Sequence, residues 1–248
     1  MMLMPFDPWL LAIGAVCGLL ALAASALVKI QFNRGKQVPL ATGATGRDIA
    51  EAILRDSDIS DVRVVEHPGF LSDHYNPMTK TLALSPDVYH GRTAAAAGVA
   101  AHEVGHAIQH ARGYAPMWMR SALVPVANIG STLAPWMILG GTLLGSGREI
   151  AAGQPGMAYY LAVAGVVLFA AATAFTLITV PVEFNASARA RERLVSLGMI
   201  RPGQEANAVR GVLVAAGMTY VAAAVTSLAY LLYYAWQAGL LGGGRREE

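Results

Sequence analysis

Cysteine is almost missing from this chain: Cys17 is its one thiol in 248 residues. A single cysteine excludes an intrachain disulfide and any Cys-rich zinc site. It lies inside an apolar run, where it reads as a small lipid- or helix-facing residue. Charge is also scarce. Only 14% of residues are charged, against 55% hydrophobic, which is too apolar for an ordinary soluble domain and points to an integral membrane protein. The net charge of +2 gives no case for nucleic-acid binding. No basic segment precedes the first apolar run, and that run is too long for the core of a signal peptide, so it reads as a retained anchor. Internal repeats and low-complexity segments are absent, and the final "GGGRREE" reads as a solvated tail.

What is present is a set of four apolar windows, each near the roughly 20 residues that a bilayer core requires. They span 9–28, 121–144, 157–180 and about 212–236, the last closing on the aromatic cluster "YYAW", which suits a membrane interface. Pro125 and Pro135 are expected to kink the second. Fifteen Lys and Arg lie between windows one and two or between three and four, and only Arg148, Arg245 and Arg246 lie on the other side. The positive-inside rule then makes both large loops cytoplasmic and puts both termini outside.

Residues 29–117 form the segment able to fold outside the bilayer. "TGATGRDIAEAILRDSDI" predicts a short amphipathic helix, and "DVRVVEHPG" a strand ended by Pro68 and Gly69. "FLSDHYNPMTKTLALSP" predicts two short strands around an Asn76-Pro77 turn, closed by Pro86. From Thr93 a helix should run to about Arg112, with Gly113 just past its end. "TKTLALS" (79–85) is a candidate edge strand for pairing with an extended substrate, with a plain structural hairpin arm as the equal alternative. The fold class is therefore a mainly α membrane protein, with four transmembrane helices and a small α+β cytoplasmic insertion.

The last helix of that insertion carries "VAAHEVGHAIQH". His102 and His106 stand at i and i+4 on one helical face, about 6 Å apart along the axis, so both imidazoles can reach one metal, with Glu103 beside a bound water. His110 lies two turns, roughly 12 Å, from His102 and no glycine breaks the helix before it; Gln109 stands where that glycine would be. His110 thus reads as a C-terminal residue that favours the helix dipole. The third ligand should be an acid on another helix returning to the same side. Of Glu183, Glu192 and Glu205, the last two read as solvated charges. Glu183 follows the third window directly, on a helix begun at Pro181 within residues 181–210.

The stretches "GFLSDHYNPMTKTLALSPDVYHGRTAAAAGVAAHEVGHAIQHA" and "PVEFNASARA" resemble the YugP-like family of bacterial membrane zinc metallopeptidases, over nearly the whole chain. More distantly, the arrangement looks like HtpX and the CAAX prenyl proteases. The resemblance implies a gluzincin, with His102, His106 and Glu183 holding one Zn2+ and Glu103 as catalytic base. In that family an Asp is usual where this chain has Asn185, which can orient a neighbour by hydrogen bonding but brings no charge. Asn185 and Ser187 are candidates for groups that support the ligands.

The expected chemistry is peptide-bond hydrolysis at the cytoplasmic surface of the bacterial inner membrane, with Glu103 assisting attack by a water that zinc activates. His74, Tyr75 and Arg191 are candidate partners for the oxyanion. Substrates would be proteins or peptides, membrane-associated ones above all, and a homo-oligomer or a membrane partner stays open. A catalytically silent chaperone or scaffold keeping a structural metal is the alternative. A site-2-type protease would need a later Asp ligand, and windows two to four hold no Asp. A transporter would place ionisable groups at mid-membrane, where Asn128 and hydroxyls stand.

Overall fold

The computed structural model describes residues 7–241; the tail "GGGRREE" lies outside the described residues. In chain order the elements are α1 (Pro8–Lys36), α2 (Gly46–Asp56), β1 (Arg63–Glu66), β2 (His74–Asn76), β3 (Thr81–Leu84) and α3 (Pro86–Tyr89). There follow α4 (Ala94–Ala111), α5 (Ala115–Leu143), α6 (Ser146–Ala151), α7 (Met157–Ser196) and α8 (Gln204–Gln237). The protein is mainly helical, and α1, α5, α7 and α8 are each long and apolar enough to cross a membrane. By contacts the chain forms two compact units. One comprises Leu22–Trp118 and Val180–Tyr220, and the other gathers the remaining described residues.

Local signals account for the small elements of the first unit. Thr45 caps α2 in a reciprocal box with Asp48, each side chain meeting the other's backbone N–H. Thr93 caps α4 by accepting from Ala96 N–H, and Gly113 takes the left-handed conformation (φ 64°) just past the helix end. Pro86, read from the sequence as a strand terminator, also opens the unforeseen single turn of α3, where its fixed φ suits the first helical position. The core of this unit joins Phe32, Ile49, Ile53, Leu82, Leu84 and Val104 to Leu194, Val209 and Val212, all buried. It stabilises the sheet and α4 against the later helices by removing apolar area from water.

The three-stranded sheet has the order β1-β3-β2, with β1 parallel and β2 antiparallel to β3. β3 is therefore central, and residues 79–85 are not an edge strand: Thr81 pairs with both Arg63 and Asn76. The continuous apolar run Leu82–Leu84, buried throughout, is what a strand covered on both sides requires. Substrate pairing on β3 is excluded, and the hairpin-arm reading stands.

A second expectation also fails. α7 does not begin at Pro181; it runs unbroken from Met157 to Ser196 with the proline inside it. A mid-helix proline removes one backbone hydrogen bond. Val182, Ala186, Ala190 and Leu194 beyond it are all buried, and that packing outweighs the local cost.

In the second unit, helices approach closely through small residues. A Cβ on Gly130 would stand 2.7 Å from the Leu168 carbonyl oxygen, and one on Gly141 would stand 2.6 Å from that of Ala158. Close backbone approach is how helices associate where water supplies no hydrophobic drive.

Candidate metal centre

The polar residues of α4 line up because an α-helix returns to the same face every three to four residues. His102, His106 and Gln109 share one face, and Gly105 lies on its flank. Against it packs the stretch of α7 that follows the third apolar window. The contact is tight: a Cβ on Gly105 would lie 2.5 Å from the Ala186 carbonyl oxygen. That approach brings Glu183 onto the two histidines. Its Oε2 lies 3.2 Å from His102 Nε2 and 3.5 Å from His106 Nε2. The three ligand atoms all fall within 4.8 Å of one another.

The site is enclosed, with Glu183 only 2% exposed. Burial works against ionisation of Glu183, but its hydrogen bonds to His102 and His106 and their charges outweigh it and hold the carboxyl well below the usual range. Burial likewise opposes protonation of His106. Its hydrogen bond to Glu183 and the charges of Glu103 and Glu183 prevail and raise it. Glu103 is itself buried, and its charge reaches Asp73 as well. The Asp73 carboxyl is pushed up by burial, with hydrogen bonds from Ser85 opposing and Glu103 adding to the rise.

The rear nitrogen of each imidazole is also held. His102 Nδ1 lies 3.1 Å from Ser187 Oγ, and His106 Nδ1 lies 3.0 Å from Gln109 Oε1. The Gln109 amide is oriented by its other end, where Nε2 donates to the Val182 carbonyl (2.8 Å) and to Asn185 Oδ1 (3.0 Å). Asn185 Oδ1 accepts in turn from Arg189 Nε at 2.8 Å, and an arginine can only donate. Gln109 therefore offers its oxygen to His106, so Nδ1 carries a proton and Nε2, on the Glu183 side, is the nitrogen that a metal would take.

The donor set fits zinc. Two imidazole nitrogens and one carboxylate oxygen converge in a buried pocket, and tetrahedral zinc takes three such ligands while leaving one position for water or substrate. Residues 9–239 match the family described as "putative neutral zinc metallopeptidase". The chain belongs to that family. It is 44% identical over 207 residues to the "Putative membrane protease YugP" of Bacillus subtilis (strain 168), a similarity covering 84% of this chain and 86% of that protein. No solved structure matches it.

The other candidate residues are spread more widely. Asn185 and Ser187 join the site as described. Tyr75 directs its hydroxyl to His110 Nδ1 at 2.9 Å. His74 is exposed, with Nδ1 2.8 Å from the Ser72 carbonyl oxygen. Arg191 is exposed; the arginine tied to the site is Arg189. Glu205, read from the sequence as solvated, is buried and accepts from the Ala41 and Arg201 backbone N–H groups, which it needs because a buried carboxylate must be paired. Gln109, Gly105 and Asp73 were not singled out from the sequence. The spacing of Gln109, three residues after His106 and seven after His102, was the available signal.

Proposed function

We propose that this protein is a membrane-embedded, zinc-dependent endopeptidase of the gluzincin type, acting on protein or peptide substrates at the cytoplasmic surface of the bacterial inner membrane. The observation that carries the reading is the convergence of His102, His106 and Glu183 beside the buried Glu103. The three would hold one zinc ion, which when bound supplies Lewis acidity that lowers the pKa of a water toward 7 and polarises a carbonyl. Gln109 and Ser187 fix the imidazoles from behind, so little reorganisation accompanies substrate binding. Glu103 follows His102 directly, and in this reading it accepts the proton of the attacking water and returns it to the leaving amine. The site lies on α7 directly after the apolar window 157–180, which suits substrates held at or near a bilayer.

The test compares wild type with Glu103→Gln for zinc content and for cleavage of casein and of a membrane protein substrate. Wild type should carry one zinc and cleave. Glu103→Gln should keep the zinc and lose at least about 100-fold in rate, the scale of a general base. A wild type without zinc would sink the metal reading. Equal cleavage by both proteins would sink the role of Glu103, and zinc without any cleavage would favour the chaperone or scaffold.

A further inference from the structure

On α4, Ala107, His110 and Ala111 stand four, seven and eight residues after Glu103, and so lie on its face of the helix. They floor an open cavity of about 480 Å³ that Tyr75, Lys80 and the loop from Asp58 to Val62 border. Within it Lys80 is ion-paired to Asp61 and Tyr75 to His110 by hydrogen bond. The Asp58 carboxylate makes no hydrogen bond or ion pair with any described residue. Ile59, Val62, Ala107 and Ala111 supply an apolar wall. With Lys80 cancelling Asp61, the cavity keeps one unmatched negative charge.

The backbone shows the same emphasis. Three non-glycine residues among those described have left-handed φ, and two of them, Asp58 (58°) and Lys80 (49°), border this cavity. Asp58 is the residue just past α2, where Ile59 N–H bonds the Leu54 carbonyl (2.9 Å) and its own N–H that of Arg55 (3.2 Å), a Schellman ending. α4, α6, α7 and α8 all place a glycine there: Gly113, Gly153, Gly198 and Gly239. At α2 a charged side chain takes the strained position that glycine fills freely.

We propose that this cavity is a subsite that receives a lysine or arginine side chain of the substrate, two residues from the bond that is cut, with Asp58 as its anion. The proposal rests on the peptidase reading above. The offset follows from two independent spacings. Glu103 to Ala107 is one helical turn, about 6 Å. Asp73, just before β2, whose carboxyl feels Glu103, and Tyr75 within β2 in the cavity wall are two residues apart, about 7 Å along an extended chain. An extended peptide covers either distance in two residues. The alkyl stem of a basic side chain would lie on the apolar wall with its charge at Asp58, whereas an acidic one would meet repulsion.

The experiment uses the full-length, zinc-loaded protein in detergent and quenched fluorescent peptides that differ only in Lys, Ala or Glu two residues to either side of the cleaved bond. On one side, wild type should prefer Lys over Ala by about two- to fivefold in kcat/KM, the yield of an ion pair to the exposed Asp58. Asp58→Asn should remove the preference, and Asp58→Lys should turn it toward Glu. Asp58→Gly should remove it too while raising the melting temperature, which separates charge from backbone strain. A Lys preference that survives in Asp58→Lys, or none in wild type, overturns the subsite. Binding of the same peptides to Glu103→Gln, read by fluorescence anisotropy, should follow the charge at position 58. If binding does so but wild type cleaves nothing, the peptidase reading fails and with it the offset from a cut bond, while the cavity stands as a site for basic side chains. If cleavage depends on Glu103 but neither measurement follows position 58, the subsite fails alone.

Discussion

At the scale of single residues, the site depends on which nitrogen of His106 carries the proton. Gln109 decides this, because its amide is oriented by Val182 O and Asn185 Oδ1 and leaves only its oxygen for His106 Nδ1. Gln109→Leu removes that acceptor and lets the other tautomer form. It should weaken zinc binding by about 10- to 100-fold, the usual cost of losing such a support, as measured by competition with a chromogenic chelator. Gln109→Glu keeps an oxygen toward His106 and should retain more of the affinity. If Leu and Glu variants bind zinc as wild type does, the relay has no bearing on the metal. The sequence made His102, Glu103 and His106 legible because their spacing is itself the chemical signal. Glu183 was reachable because few acids follow the third apolar window in the sequence. For Gln109 the spacing shows only that it shares the histidine face; its value comes from α7, 73 to 76 residues away, and no local pattern announces that contact. Glu205 was missed for the same reason: its partner Ala41 is 164 residues distant.

At the scale of elements, α4 and α7 must approach closely enough for Glu183 to meet both histidines, and Gly105 permits it. Two glycines of α4 therefore make opposite predictions. Gly98→Ala adds a methyl with its nearest neighbour, Val209, at 3.6 Å, ordinary contact. It should stabilise the protein by about 0.5–1 kcal/mol through helix propensity. Gly105→Ala gains the same propensity but drives its methyl to 2.5 Å from the Ala186 carbonyl oxygen, a backbone atom that cannot rotate away. The helices must part, and the net loss should be about 1–3 kcal/mol, with zinc affinity falling as Glu183 recedes. Thermal denaturation of both variants with and without chelator checks this; a destabilised Gly98→Ala or a neutral Gly105→Ala would contradict the packing account. The elements themselves were largely readable, since caps, turn residues and periodicity act within a few residues. Strand order was not. Nothing within "TLALS" states that β1 arrives parallel on one side while β2 folds back on the other. The helix through Pro181 was hidden for a related reason, because the packing that holds it lies in other elements.

At the scale of the whole molecule, the remaining question is which side of the membrane the site faces. The distribution of Lys and Arg supplies the argument: fifteen lie in the segments joining windows one to two and three to four, and three elsewhere. Several of the fifteen, Lys29, Arg34 and Arg120 among them, lie close to the ends of apolar windows, where their effect on orientation is greatest. His102, His106 and Glu183 belong to the same compact unit as Glu192, which is exposed nine residues beyond Glu183 on α7. A label at Glu192 therefore reports on the side of the site, and the topology expected from the sequence puts the exposed Gln154, between α6 and α7, on the opposite side. The lone native thiol makes the measurement clean, since Cys17→Ala leaves none. In that background, Gln154→Cys should react with a membrane-impermeant maleimide in intact spheroplasts, and Glu192→Cys only after permeabilisation. The reverse pattern would place the site outside, and with it the substrates, which would then be secreted proteins or the exposed loops of membrane proteins. Labelling of both in intact spheroplasts would mean that the two positions do not lie on opposite sides of a bilayer, and the four-crossing topology itself would fall.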